Sequence, residues 1–197
     1  MTVPVDDRDR GKIDVHGPGM THLCERSQTI LRGWALAAQG QREEGIAQIR
    51  WGVDAHKATG GVSGLPYWLA LLAVACAQVG QREEGLSLLA EALAMTNDRG
   101  ERRWEAELYR LKGELLLHSA EQHAEAETCF GQALDIARHQ QAKSWELRAA
   151  MSLSRLWQRH GKHAEARQLL APIYGWFTEG FDTADLREAR ALLEALA

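Results

Sequence analysis

The hexapeptide Gly-Gln-Arg-Glu-Glu-Gly occurs twice in the chain, at residues 40–45 and again at 80–85. Such a repeat restricts folding more than composition does. Each copy must form the same supersecondary unit, and each unit must bury its apolar side on a neighbour. Displacing the sequence by 40 residues lays RGWALAAQGQREEGIAQIRWGVDA over LAVACAQVGQREEGLSLLAEALAM. Two further steps bring AEAETCFGQALDIARHQ and AEARQLLAPIYGWF into line. In every unit a small residue stands four places before a larger apolar one: Gly45 and Ile49, Gly85 and Leu89, Ala126 and Phe130, Ala166 and Leu170. Gly52, Ala92, Ala133 and Ile173 follow three places on, and the third unit carries one extra residue within HSAEQH.

Each unit contains two helical patterns. Leu69, Leu72, Ala73 and Cys76 recur at three- and four-residue steps, as do Leu86, Leu89, Ala92 and Leu93. Gly80 suits the left-handed residue that ends a helix. Glu83 and Glu84 suit the positive start of the next one. The repeated hexapeptide is therefore a helix–turn–helix corner, and its acidic pair reads as solvated charge. The pattern predicts helix pairs at 23–39 with 42–58, 64–79 with 82–97, 102–118 with 122–140, and 143–160 with 163–177. A ninth helix is expected at 183–196, capped by Asp182 or Thr183. Its apolar positions Leu186, Ala189, Leu192, Leu193 and Leu196 would cover the flank of pair four at Ile173, Trp176 and Phe177. The expected fold is all-α: a right-handed solenoid of about four helix pairs, residues 21–181, closed by a C-terminal capping helix, residues 182–197. Residues 1–20 read as a disordered leader.

Other totals narrow the function classes. The formal net charge is −4 at pH 7, so the basic footprint of nucleic-acid binding is missing from the balance. No apolar run approaches the roughly 18 residues of a membrane span. Cys24, Cys76 and Cys129 are odd in number and form no CxxC. That usage fits small buried hydrophobes in a reducing, cytoplasmic setting.

Catalytic and metal motifs are weak. His160 and His163 lie three apart at a corner, His118 and His123 flank the corresponding corner of unit three, and His16, His22 and Cys24 cluster near the start. A metal needs three or four ligands, and these positions read as polar corners. ATGGVSG at 58–64 lacks GxGxxG and GxSxG and follows a helix, so it reads as a connector, with Ser63 capping the next helix and Pro66 in its first turn. No cofactor, metal or catalytic residue is expected. Seven tryptophans read chiefly as filling between units, with interface anchoring as the alternative.

The small–xxx–Phe run of Ala126 to Phe130, followed by Ala133, resembles the tetratricopeptide (TPR) pattern, with Gly113 in the preceding helix. The units are about 40 residues rather than the usual 34 or so, the early Trp is out of register, and the closing Pro is absent. TILRGWALAAQGQREEGIAQIR, LPYWLALLAVACAQVGQREEGL, ERRWEAELYRLKGELLL, QQAKSWELRAAMSLSRLW and APIYGWFTEGFDTADLREARALL are similar to the C-terminal TPR region of bacterial multidomain adenylate/guanylate cyclase–AAA/STAND ATPase signalling proteins. The resemblance covers about residues 28–194. It implies a sensor or scaffold part whose chemistry belongs to other domains. The chain has no GxxxxGK[ST] loop and no counterpart of the cyclase's metal-binding aspartates, so no catalytic residue carries over.

In such a stack the first helix of each pair lines the concave face. Taking Gly33, Ala73, Gly113 and Ser154 as equivalent, that face would expose Ile30, Trp34 and Ala37, then Tyr67, Ala70, Val74 and Ala77. In the later units it would expose Glu107, Arg110, Glu114 and Leu117, then Arg148, Met151, Arg155 and Gln158. The groove would be apolar in its first half and charged in its second, suiting a protein or peptide partner. The expected function is a non-enzymatic protein-interaction module of a signalling system. The alternative is a ligand sensor acting on an attached or partner ATPase or cyclase, which a pocket ringed by Trp and Arg would favour. Unit one has no evident N-terminal cap, so self-association through it is also expected.

Overall fold

The computed structural model describes residues 18–58, 64–99 and 102–197. Among them are nine α-helices and no strand. They are α1 (Pro18–Ala38), α2 (Arg42–Ala58), α3 (Leu65–Gln78), α4 (Arg82–Arg99), α5 (Glu105–Leu116), α6 (His123–His139), α7 (Lys143–Arg159), α8 (His163–Tyr174) and α9 (Ala184–Ala195). Short 3-10 turns, Arg102–Trp104 and Ala120–Gln122, precede α5 and α6. Residues 1–17 of the expected leader, and the connector with Ser63, lie outside the described residues.

The corners explain why the helices stop where they do. Gly40, Gly80 and Gly161 take φ of +94°, +86° and +76°. At each of them a six-residue backbone bond closes the preceding helix: Gln41 N to Leu36 O and Gln81 N to Cys76 O at 3.0 Å, Lys162 N to Trp157 O at 2.9 Å. Between α6 and α7 the same closure recurs, Ala142 N donating to Ala137 O at 2.9 Å. There the left-handed residue is Gln141, φ +55°, which carries the steric cost a glycine avoids. The extra residue of unit three is taken up by the 3-10 turn at Ala120–Gln122. Pro66 falls in the first turn of α3 as expected. Thr183 precedes α9, but its hydroxyl donates back to Gly180 O at 2.7 Å rather than capping the helix. α8 ends at Tyr174, short of 177, just past Pro172, which offers no N–H.

Within each pair the two helices cross at small residues. A Cβ on Gly45 would lie 2.5 Å from Gly33 O and 2.7 Å from Ala37 N. A Cβ on Gly85 would lie 2.9 Å from Ala73 O. At Gly113 the space is filled by the Phe130 ring, 2.5 Å from where a Cβ would sit. In pair four Ser154, fully buried, donates to Ala166 O at 3.2 Å. Ile49, Leu89, Phe130 and Leu170, four places after the small residue, are all fully buried. Pairs then stack. α3 packs on α2, α5 on α4 and α7 on α6, while α1, α3, α5, α7 and α9 follow one another side by side. Helices α2 and α4 are bridged by long side chains, Arg50 to Glu84 at 2.8 Å and Lys57 to Glu91 at 2.7 Å. The first helices of the pairs therefore form the closer-packed, inner row.

α9 continues that row, lying against α7 and α8 as α7 lies against α5 and α6. Leu186, Ala189, Leu192 and Leu196 are buried on pair four, with Leu193 partly so. Ile173 and Phe177 join this cluster. Trp176 does not: it is 58% exposed, contrary to its expected place under α9, because it follows the end of α8 and points out beside Lys143. Cys76 and Cys129 are buried free thiols, and burial pushes both thiol pKa values up.

Gly45→Ala should lower stability in urea denaturation by about 2 kcal/mol, since backbone atoms must move apart. Gly131→Ala, in α6 with open space around its Cβ position, should raise it by about 0.5–1 kcal/mol. Equal effects would contradict the close crossing.

Candidate interaction surface

The inner row is not the open groove its sequence implies. Ile30, Ala37, Ala70, Glu107 and Met151, expected to be exposed, are buried. Ile30 shares a helical stripe with Gly33 and Ala37, so it faces α2, where it reaches the Gly52 backbone. Met151 lies on the stripe of Leu147 and Ser154 and packs into the core of pair four. The remaining expected positions, Trp34, Tyr67, Val74, Arg110, Glu114, Arg148 and Arg155 together with Ala77, Leu117 and Gln158, are half-buried.

In the charged half, side chains saturate one another across the row. Glu107 on α5 accepts a two-pronged bond from Arg110, Nε to Oε2 at 2.7 Å and Nη2 to Oε1 at 2.8 Å. Burial works against the Arg110 charge, and the Glu107 hydrogen bonds more than offset it, so its pKa rises. Arg110 also reaches Glu114 at 3.3 Å and Ser152 on α7 at 3.4 Å. Ser152 donates to Glu114 at 2.6 Å. Arg148 on α7 lies 3.6 Å from Glu107 and donates to Asp185 on α9 at 2.7 Å. Arg155 donates to Glu188 on α9 at 2.8 Å. These groups stitch α5, α7 and α9 together. The arginines expected to meet a partner already hold internal carboxylates.

At one end of the row the structure brings together a line of rings. Tyr67, in the first turn of α3, stacks on Trp104 with centroids 4.4 Å apart and planes 23° apart. Trp104 meets Trp145, in the first turn of α7, edge-on at 6.1 Å. Trp68 lies 5.4 Å from Tyr67, and the Arg148 guanidinium lies 5.2 Å from the Trp145 ring. All four rings are half-buried. The phrases RRWEAEL and KSWELRA contain the signal, with each Trp opening the inner helix of its unit, but ring-to-ring contact depends on how units rotate against each other.

Imidazoles from two corners also meet. His123 Nδ1 lies 3.2 Å from His160 Nε2, joining corners that are separate in sequence. No group of three His, Cys, Asp or Glu able to hold a metal occurs among the described residues. The side chains of His16, His22 and Cys24 lie outside them.

No protein-family model matches the chain. Two solved structures of a Podosopora anserina kinesin light chain-like protein with nearly identical TPR-like repeats superpose with a TM-score of 0.68. One is 18% identical and covers 90% of this chain and 87% of that one. The other, a point variant of the same protein, is 17% identical, with coverage of 89% and 86%. The fold is a TPR-like repeat solenoid. Over 127 residues, 64% of its length, the chain is also 27% identical to an uncharacterised protein of Rhizobium meliloti strain 1021, of which this segment is 12%. The TPR-like solenoid thus corresponds to a small part of a much longer relative.

Arg110→Ala should cost about 2–3 kcal/mol in urea denaturation, because it leaves buried Glu107 short of its partner. Arg155→Ala, at an exposed pair, should cost less than about 0.5 kcal/mol. Equal costs would show that the network does not join the helices as described.

Proposed function

We propose that the chain is a non-enzymatic TPR-type interaction module of a bacterial signalling system, and that it grips a protein or peptide partner along the edge of its inner row where α3, α5 and α7 begin. The observation that carries this reading is the half-buried line of Tyr67, Trp104 and Trp145, one ring from each of three successive units. Large rigid rings give contact area at little entropic cost and dominate interface energies. Their spread over successive repeats suits an extended or helical segment. The saturated ion pairs of the second half support a structural rather than catalytic role for those ionisable groups. The much longer relative supports a module working beside other domains; the net charge of −4 favours a partner other than nucleic acid, and the cysteine usage favours a cytoplasmic setting. No helix among the described residues is long and apolar enough to cross a membrane. On the first pair Leu31 is 49% and Trp51 62% exposed, which supports pairing with a second copy through that end.

Affinity capture from the native cell extract should compare wild type, Tyr67→Ser with Trp145→Ser, and Trp51→Ser. The expected partner is retained by wild type and Trp51→Ser and lost from the double variant. Equal retention by the double variant would reject the ring line as the contact surface. Light scattering on the same wild-type sample should show a dimer, and a clean monomer at tens of micromolar would remove the self-association.

A further inference from the structure

Where α6 ends and α7 begins, the end of α8 passes close by and encloses a half-open cavity of about 620 Å³. That lies within the size range of small-molecule sites. Its walls are Arg138, Gln141, Lys143, Ser144, Trp176 and Phe177. The inner-row reading uses none of them.

Two features set the chemistry of this cavity. First, its two cations are held in place by one buried carboxylate. Glu146 accepts from Arg138 Nε on one oxygen at 3.1 Å and from Lys143 Nζ on the other at 2.7 Å. Burial alone would push the Glu146 carboxyl up. The hydrogen bonds from Lys143 and then Arg138 outweigh it and hold the group below the usual range, so it stays anionic at neutral pH. Arg138 engages it through Nε and keeps 48% of its side chain exposed. Two positive charges against one negative leave the wall net cationic. The start of α7, with no side chain capping it, adds to the same sign.

Second, the opposite wall is an aromatic platform. The Trp176 indole is mostly exposed, and Phe177 braces it edge-on at 5.2 Å with planes 87° apart. Lys143 Nζ sits 5.6 Å from the indole centroid, so ring and cation belong to one site. Beyond Phe177 and Ser144 lies a smaller cavity of about 240 Å³ whose walls include Glu179 and Asp185. Asp185 is already held by Arg148, so on that side Glu179 is the carboxylate that disfavours an anion.

We infer that the cavity between α6, α7 and the end of α8 binds a small aromatic anion, its ring against Trp176 and its phosphate or carboxylate on Lys143 and Arg138. A cationic ligand would face two like charges. An inorganic anion would leave the indole unused, and a neutral ring would leave the cations unused. Because the walls come from pairs three and four, bound ligand ties two neighbouring repeats together and stabilises their junction.

Phenyl phosphate, benzoate, phenol and inorganic phosphate should be titrated into the full chain, following tryptophan indole N–H resonances and thermal midpoint. Phenyl phosphate or benzoate should bind saturably, shift one indole resonance that is missing in Trp176→Leu, and raise the midpoint. The tighter of the two identifies the preferred oxyanion. Phenol and inorganic phosphate should each bind about tenfold more weakly. Trp176→Leu and Lys143→Gln should each weaken binding about tenfold, while Arg42→Gln, at the start of α2 in the first pair, leaves it unchanged. Trp176 is exposed, so its replacement keeps the fold and the test stands even where Lys143→Gln loosens α7. Saturation by neither aromatic anion, wild-type affinity in Trp176→Leu, or equal binding of inorganic phosphate would overturn the inference.

Discussion

The close crossing of two helices at small residues is the contact on which the rest of this molecule depends. Gly33 meets Gly45 backbone to backbone, and Ala73 meets Gly85 in the same way. Ser154 meets Ala166 through a hydrogen bond, and Gly113 accepts the Phe130 ring where the third unit has one residue more. Side chains one size larger would separate the helices and empty the space beneath Ile49, Leu89, Phe130 and Leu170. Close approach fixes the angle of each hairpin. Identical hairpins then stack by the same operation, and no pair has to bury its apolar side alone.

Stacking divides the inner row into two parts with different duties. In the later repeats Glu107, Arg110, Ser152, Arg148 and Asp185 hold α5, α7 and α9 to one another. α9 thus takes the position of a further inner helix, tied in by charge on one side and by Leu186, Ala189 and Leu192 on the other. Along the edge where α3, α5 and α7 begin, the row offers rings instead. Tyr67, Trp104 and Trp145 form one line because each opens the inner helix of its own unit or the turn before it. The charged side chains along α5, α7 and α9 are consumed by the fold, while the rings at the helix starts keep part of their surface open to solvent.

Much of this was legible in the residues. The duplicated corner at Gly40 and Gly80, the small-to-large spacing and the stripe of α9 each reflect contacts within one hairpin or between sequential helices, which periodicity encodes directly. What the sequence concealed lies between units. Ile30 and Met151 were placed on the open face because the stripe facing the neighbour and the stripe facing the hairpin partner are one residue, about 100°, apart on a helix. Glu107 looked solvated until Arg148 arrived from the next repeat. His123 and His160 meet only through the rotation of pair four on pair three. The apolar stripe puts Trp176 on the covered flank, whereas α8 ends at Tyr174 and the indole that follows faces outward.

A stack held by neighbour contacts should lose stability locally, and hydrogen exchange measures that directly. Ala189 is fully buried at the centre of α9, so Ala189→Arg strips the cover from pair four. Exchange should accelerate sharply in α7 and α8, less in α5 and α6, and little in α2 to α4. Equal acceleration in every helix would mean one indivisible core, and would contradict a molecule built by adding alike units end to end.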